Sequence, residues 1–273
     1  MSYANFKPTV WSKYIQHDLE KHLVYKADCD FMFEGEAKQG KRVKILGVGR
    51  PTIGTYEPGK DITGPESIQD SSVYLDIDQW KYFNFAVDDV DKAQSMDGLM
   101  PALMTESTRA MAEVQDRFCA EKMAKEAGKK SASAVISDAK GAIAAVDAAF
   151  EYLWGNGVRL TDKTVLYVTP WFYNLIKGYL VDAKTDNDKL ILSGVIGGYN
   201  NAKVKMTNLA YNDNTDDHMI LKTTKAFAFC NGIDKVESYT PEKAFSDAVK
   251  GLHTYGGKMV RPKEVYVIKG RKA

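Results

Sequence analysis

Reactive side chains are scarce in this sequence: 273 residues hold four histidines and three cysteines. Cys29, Cys119 and Cys230 are widely separated and make no Cys-x-x-Cys pair, so they read as buried, reduced thiols in a cytosolic setting. His17 and His22 stand five residues apart, about 140° around a helix, and share no metal-facing side. There is no His-Glu-x-x-His, no Cys/His cluster with zinc spacing and no Gly-x-Ser-x-Gly elbow. A net charge of +1 excludes the global basic field that nucleic-acid gripping requires. No apolar run approaches the roughly 20 residues of a membrane span. The opening stretch MSYANFKPTVWSKYIQHDLEK lacks the apolar core of a signal peptide. A chain made in the cytoplasm, with no membrane partner, is expected.

The acidic groups are no richer in chemistry. Asp186/Asp188 and Asp213/Asp216/Asp217 lack the residue order of a calcium loop and read as solvated loop tips. Asp88, Asp89 and Asp91 could pair as catalytic carboxylates, but they more simply charge the start of a helical turn. Neither a cofactor nor an enzymatic activity is expected.

What is present is an ordinary globular balance, 44% hydrophobic and 27% charged, long enough for one large or two smaller domains. Trp11, Ile15, Leu19 and Leu23 recur every four residues and predict a short helix over 11–23. Residues 30–46 read as strands around the turn 37–40. Val73, Leu75 and Ile77 alternate with polar partners inside a long strand, Ser72–Val87. Asp97–Ala127 is the strongest helix, with Asp97 as cap and Pro101 in the first turn. Its apolar stripe is Met100, Met104, Met111, Val114 and Phe118, and Gly128 ends it. An α/β pattern follows: helix Asp138–Trp154, strand Thr164–Thr169, helix Pro170–Leu180, loop Asp182–Lys189, and strands Lys203–Thr207 and His218–Lys222. Four more strands are expected near the end, over Ala226–Cys230, Lys235–Tyr239, Lys258–Val260 and Glu264–Ile268.

Between two strands lies GTYEPGKD, residues 54–61, a near match to a phosphate-binding loop. Asp61 stands where the motif needs a hydroxyl, Pro58 removes an N–H, and Gly64-Pro65 prevents the helix that must follow. Gly47-Val48-Gly49 mimics a dinucleotide fingerprint, but Pro51 and the late Gly54 break its spacing. The whole segment 47–72 is rich in glycine, proline and charge, and makes a long hairpin that needs something to lie on.

The order of elements resembles the major capsid proteins of tailed bacteriophages, the Hong Kong 97-type fold. The resemblance rests on PTVWSKYIQHDLEKHLVYKADC, GTYEPGKDITGPESIQDSSVYLDIDQWKYFNFAVDDVDKAQ and FSDAVKGLHTYGGKMVRPKEVYVIKG, in that order. It implies an α+β fold with an extended β-hairpin loop, a long spine helix in a peripheral domain, and an α/β axial domain. Residues 1–46 would be the N-terminal arm and the start of the peripheral domain, and 47–72 the extended hairpin. Residues 73–135 would be peripheral with the spine helix, 136–225 axial, and 226–273 a return to the peripheral domain. The hairpin tip would fold against another copy through Arg50, Glu57, Lys60, Asp61 and Glu66. The implied function is a coat protein that self-assembles as hexamers and pentamers into an icosahedral shell around double-stranded DNA. Implied partners are a portal protein, the packaged DNA held non-specifically, and a separate scaffolding protein, since the sequence starts almost at once with the N-terminal helix. Assembly in a bacterial host cytoplasm, into the virion capsid, is implied too. The family's prototype makes a Lys–Asn cross-link. Lys60 lies in the hairpin but nothing marks its partner, so non-covalent assembly is expected. An encapsulin-like nanocompartment shell is the alternative, and a nucleotide-binding enzyme using Gly54–Lys60 the distant one.

Overall fold

The computed structural model describes residues 24–34, 42–48, 52–59, 61, 64, 70–88, 99–159, 161–182, 196–242 and 246–272. The expected helix over 11–23, the turn 37–40, the cap Asp97, and Asp186 and Asp188 lie outside these residues.

The first strands, β1 (Arg42–Val48) and β2 (Asp70–Asp76), pair antiparallel from Arg42 opposite Asp76 to Val48 opposite Asp70. This is the base of the expected hairpin. The strand read as Ser72–Val87 is in fact two, because β3 (Gln79–Asp88) leaves β2 at Ile77-Asp78 and joins a different sheet. Met32 and Phe33 form a turn and Glu34 is helical where a strand was expected, and Asp30 makes an isolated bridge to Ala228.

Helix α1 (Leu99–Glu126) carries Pro101 in its first turn, where a missing N–H costs nothing. Its buried stripe is Met104, Thr108, Met111, Ala112, Gln115, Asp116, Cys119, Ala120, Met123 and Ala124, the three-and-four spacing of one helical face. The expected stripe was tilted: Val114 is exposed, and the small and polar residues beside Met111 are the ones covered. Gly128 ends the helix by close approach, since a Cβ there would sit 2.3 Å from the Pro262 carbonyl oxygen.

Two short strands, β4 (Lys129–Lys130) and β5 (Ala134–Ile136), lead to α2 (Ala139–Gly155). Gly157 takes φ +90, Val158 donates to the Leu153 carbonyl and Gly157 to that of Trp154, a Schellman end. Then come β6 (Thr164–Val168) and α3 (Pro170–Asp182), followed by β7 (Gly198–Tyr199), β8 (Ala202–Met206) and β9 (Asp217–Thr223). The remaining strands are β10 (Phe227–Tyr239), β11 (Ser246–Met259) and β12 (Val265–Lys272). The two strands expected at 226–239 are one, bulged between Asn231 and Asp234. The C-terminal strand β12 lies inside a seven-stranded sheet ordered β4-β12-β9-β6-β8-β7, with β5 also on β12.

That sheet is covered on both faces, so its central strands are continuously apolar. Leu166, Val168, Met219, Leu221 and Ile268 face α2 and α3. Val165, Tyr167, Ile220, Val265 and Val267 face the C-terminal half of α1, with Tyr25 and Cys29 in the same cluster. The N-terminal half of α1 lies instead on a three-stranded sheet, β10-β11-β3, through Met104, Met111 and Ala112 against Val236, Val249, Phe83 and Phe85.

Strand β11 was invisible to the sequence beyond its last residues. Its stretch SDAVKGLHTYGGKM is polar and glycine-rich, yet the glycines are where neighbours cross. A Cβ at Gly251 would meet the Phe83 ring, at Gly257 the Phe227 ring, and at Gly256 the Asp76 carbonyl oxygen at 2.1 Å. Gly256 thereby lets the foot of the hairpin sit directly on β11. Gly256→Ala should cost about 1–3 kcal/mol, read as a lowered denaturant midpoint at unchanged slope.

Candidate inter-subunit surface

The hairpin has a covered face and a bare one. Val43, Ile45 and Leu75 are buried with Ala228 and Cys230, with Val73, Ile77, Phe33 and Val260 packed around them. On the opposite face Arg42 grips Asp76 with two contacts, Nε to Oδ1 at 2.5 Å and an Nη2 contact to Oδ2 at 3.3 Å. The hydrogen bond from Arg42 holds the Asp76 carboxyl below its ordinary range. The guanidinium also lies 5.2 Å from the centre of the Tyr74 ring. The foot of the hairpin therefore belongs to its own subunit, and more of it does than the sequence implied.

Beyond the foot the picture reverses. Residues 52–59, 61 and 64 are all exposed, including Ile53 at 85% and Tyr56 at 66%. Residues 52–57 carry no helix or strand, and Pro58-Gly59 turn with Gly59 at φ +88, the conformation that the third residue of a type II turn needs. This is a turn at a tip; the phosphate-loop reading would need a helix to open there, and residues 61 and 64 are not helical. Glu57 and Asp61 are exposed, while Arg50, Lys60 and Glu66 lie outside the described residues. The site residues picked from the sequence are thus placed only in part, Glu57 and Asp61 on an exposed tip.

A second bare surface went unseen. On β3 the side chains of Phe83 and Phe85 point into the core, stacked with centres 5.9 Å apart. The alternate residues Trp80 and Tyr82 point out, and Tyr82 is 78% exposed. Tyr82 stands opposite Leu252, itself part-exposed, and Ile233 adds another uncovered side chain at the bulge of β10. Beside this patch run polar groups: Glu237 accepts from Lys235 and from Lys250, which together hold its carboxyl low, and Tyr239 donates to Asn84 at 3.1 Å. An aromatic centre with a polar rim is the anatomy of a protein interface. The signal lay in QWKYFNFAVD, a strand with aromatic residues on both faces, which needs covering from both sides.

The acidic loop at 213–217 is not the solvated tip expected: Asp216 is buried, and Lys269, Arg271 and Trp171 reach Asp213, Asp216 and Asp217 from outside it. Asp213 accepts from the backbone N–H of Asp216 and Thr215 and contacts His218 Nε2 at 3.1 Å, and the Asp216 backbone hydrogen bond is the chief reason its carboxyl is held low. Among the described residues no group of histidine, cysteine and acidic side chains could hold a metal ion, and no helix is long and apolar enough to cross a membrane.

With that geometry in place, comparison with known proteins is informative. A family model described as phage capsid protein matches residues 70–268, well over half of the chain, and the chain belongs to that family. It is a family of structural proteins, and the fold is the Hong Kong 97-type fold of phage major capsid proteins. A structure from Mycobacterium phage Che8 is 29% identical, covers 90% of this chain and 90% of its own, and superposes with a TM-score of 0.79. A capsid structure of the cyanophage P-SCSP1u is 15% identical, covers 86% of this chain and 84% of its own, with a TM-score of 0.72. A virus-like particle from Pyrococcus furiosus shares the fold at 11% identity, covering 95% of this chain and 98% of its own, with a TM-score of 0.62. A search of curated protein sequences returned no match. The protein is a phage coat protein.

Because Tyr82 is so exposed, Tyr82→Ser should change the unfolding free energy of the isolated subunit by no more than about 0.5 kcal/mol. Leu75→Ala, on the covered face of the hairpin foot, should cost about 2–5 kcal/mol in the same urea titration.

Proposed function

We propose that this chain builds an icosahedral shell of hexamers and pentamers around double-stranded DNA, with the hairpin of one copy folding over the next. The observation that carries this reading is the contrast along one hairpin: a foot buried in its own core and a tip with Ile53 and Tyr56 in solvent. Apolar side chains held out on an anchored arm gain most when a second surface covers them. Glu57 and Asp61, with Arg50, Lys60 and Glu66, supply the charge on that arm. Each exposed ion pair adds at most about 1 kcal/mol. A head-to-tail contact repeated around a ring holds each copy by several neighbours, so weak pairs suffice and misplaced copies can leave.

In this reading residues 47–72 are the extended loop and α1 is the spine of the peripheral portion. Residues 136–225, with α2 and α3, are the axial portion, and 226–273 return to the peripheral portion, with β12 pairing into the seven-stranded sheet. The near-neutral chain suits an inner wall that holds DNA without gripping it. The shell forms in the cytoplasm of a bacterial host with a separate scaffolding protein and a portal protein, without covalent cross-links and without a cofactor. A nanocompartment shell around a protein cargo is the second reading, which the fold alone allows.

Electron microscopy of the protein expressed with its neighbouring genes tests both. Closed polyhedral shells with co-purified nucleic acid are expected. Shells holding a cargo protein would favour the second reading, and a small uniform oligomer would overturn both. Glu57→Lys with Asp61→Lys should abolish shells while leaving the thermal unfolding of the subunit unchanged. Equal loss of folding would place the tip in the subunit's own core.

A further inference from the structure

We propose that a basic cleft at one end of the seven-stranded sheet binds phosphate groups through Lys163 and Lys225. Three connections meet there: α2 to β6, β9 to β10, and β11 to β12. The pairings of Thr164 with Thr223 and of Val265 with Lys222 bring them to the same end of the sheet. They line a cleft of about 430 Å³, with Thr161 and Lys163 on the first, Thr224 and Lys225 on the second, and Arg261 on the third. The Thr224 N–H donates to the Lys163 carbonyl at 3.1 Å. The N–H groups of Val260 and Arg261 both donate to the Ala226 carbonyl, at 2.9 and 3.1 Å. Backbone hydrogen bonds thus tie the three connections together, and the cleft keeps its shape without a ligand.

The charge here is lopsided. Residues 159–163, 223–225 and 261–264 hold five basic side chains and two acidic ones, a net +3, whereas the whole chain carries +1. A chain that is near neutral as a whole is basic at this one place, and a cleft concentrates such a field. Neither acid is paired with a lysine. Asp162 folds back on its own loop and accepts the Arg159 N–H at 2.9 Å. Glu264 takes the Thr223 hydroxyl on one oxygen and the Arg261 guanidinium, at 3.1 Å, on the other. Lys163 and Lys225 are exposed, and among the described residues neither ammonium has a hydrogen-bonding or ionic partner.

These donors suit phosphate better than carboxylate. A carboxylate is planar and is held best by the fork of an arginine. The Arg261 fork already holds Glu264 through one nitrogen. What remains is two ammonium groups, each a point charge with three donors, and the hydroxyls of Thr161 and Thr224. Tetrahedral phosphate oxygens accept from several directions at once, and such a set serves them. A water occupies about 30 Å³ of liquid, so a lone ion would leave most of the cleft to solvent, and linked phosphates fill it better. Linked phosphates have two sources, a free polyphosphate compound and the backbone of DNA. That the source is packaged DNA rests on the capsid reading; the phosphate site itself does not. On DNA the two lysines would displace counterions and hold any sequence alike.

The test uses the full chain, with pyrophosphate as the first probe in a calorimetric titration. Binding is expected, and Lys163→Ala with Lys225→Ala should weaken it about tenfold. The same loss of charge at the far end of the sheet, Lys140→Ala with Lys272→Ala, should leave it unchanged. All four lysines are exposed, so both variants should unfold at the parent's temperature. A short DNA duplex is the second probe, read by fluorescence anisotropy across salt concentrations. For a DNA source, the slope of log K against log salt should shrink by about 2 when Lys163 and Lys225 are removed, since each phosphate contact contributes about 0.9. Pyrophosphate binding that needs both lysines, with no such change on DNA, would assign the cleft to a free phosphate compound. Binding of neither probe, equal weakening in both variants, or polyglutamate binding as tightly as pyrophosphate would each overturn the proposal. Shells that enclose DNA while both readouts ignore Lys163 and Lys225 would defeat the cleft and leave the capsid reading standing.

Discussion

The 28 residues of α1 rise about 42 Å, and the two halves of that rod bury themselves against different sheets. Met104, Met111 and Ala112 sit on the three-stranded sheet, and Cys119, Ala120, Met123 and Ala124 on the seven-stranded one. A helix curves only gently unless something interrupts its hydrogen bonds, so one rod packed on both surfaces couples the angle at which the sheets stand. The residues at the crossing point are small or polar because two layers converge there. Gln115 and Asp116 are wholly buried, and they hold the incoming segment rather than solvent.

That segment is held by an unusual amount of buried polarity. Asp28 accepts the Tyr167 hydroxyl at 2.8 Å and the Lys205 ammonium at 2.6 Å through one oxygen, while its backbone carbonyl receives Lys222. Burying such groups costs free energy unless each finds a partner, and a well-packed apolar cluster would stabilise as well or better. What the arrangement adds is direction. A slipped register would strand a lysine in the core, so residues 24–30 fit in one way.

How much of this the sequence carried depends on which force shapes each element. Helices α2 and α3 and strands β6, β8 and β9 were legible almost to the residue, because apolar spacing and end signals such as Pro170 and Gly157 act locally. Strand β11 was not, because Gly251, Gly256 and Gly257 are defined by what crosses them from other elements. The division of 72–87 into two strands depended on the same distant contact. At the surface, Glu57 and Asp61 were picked out from the sequence and the aromatic patch was not. Charges in a glycine-rich loop stand out in a sequence, while Trp80 and Tyr82 look like core until Phe83 and Phe85 are seen to occupy the inward positions.

The hairpin is also a lever. Its foot is clamped where Gly256 admits the Asp76 carbonyl, and each of its strands runs seven residues, about 23 Å. The fulcrum at Ile77-Asp78 lies between two sheets and belongs to neither. A tilt of about 10° there would carry the far end of the strands some 4 Å sideways, by the geometry of an arm that long. The ladder hydrogen bonds of both sheets would stay intact through such a swing. Because Val43, Ile45 and Leu75 are packed against Ala228 and Cys230, such a swing slides the covered face of the foot over β10, so the angle of the arm is coupled to the packing beneath it.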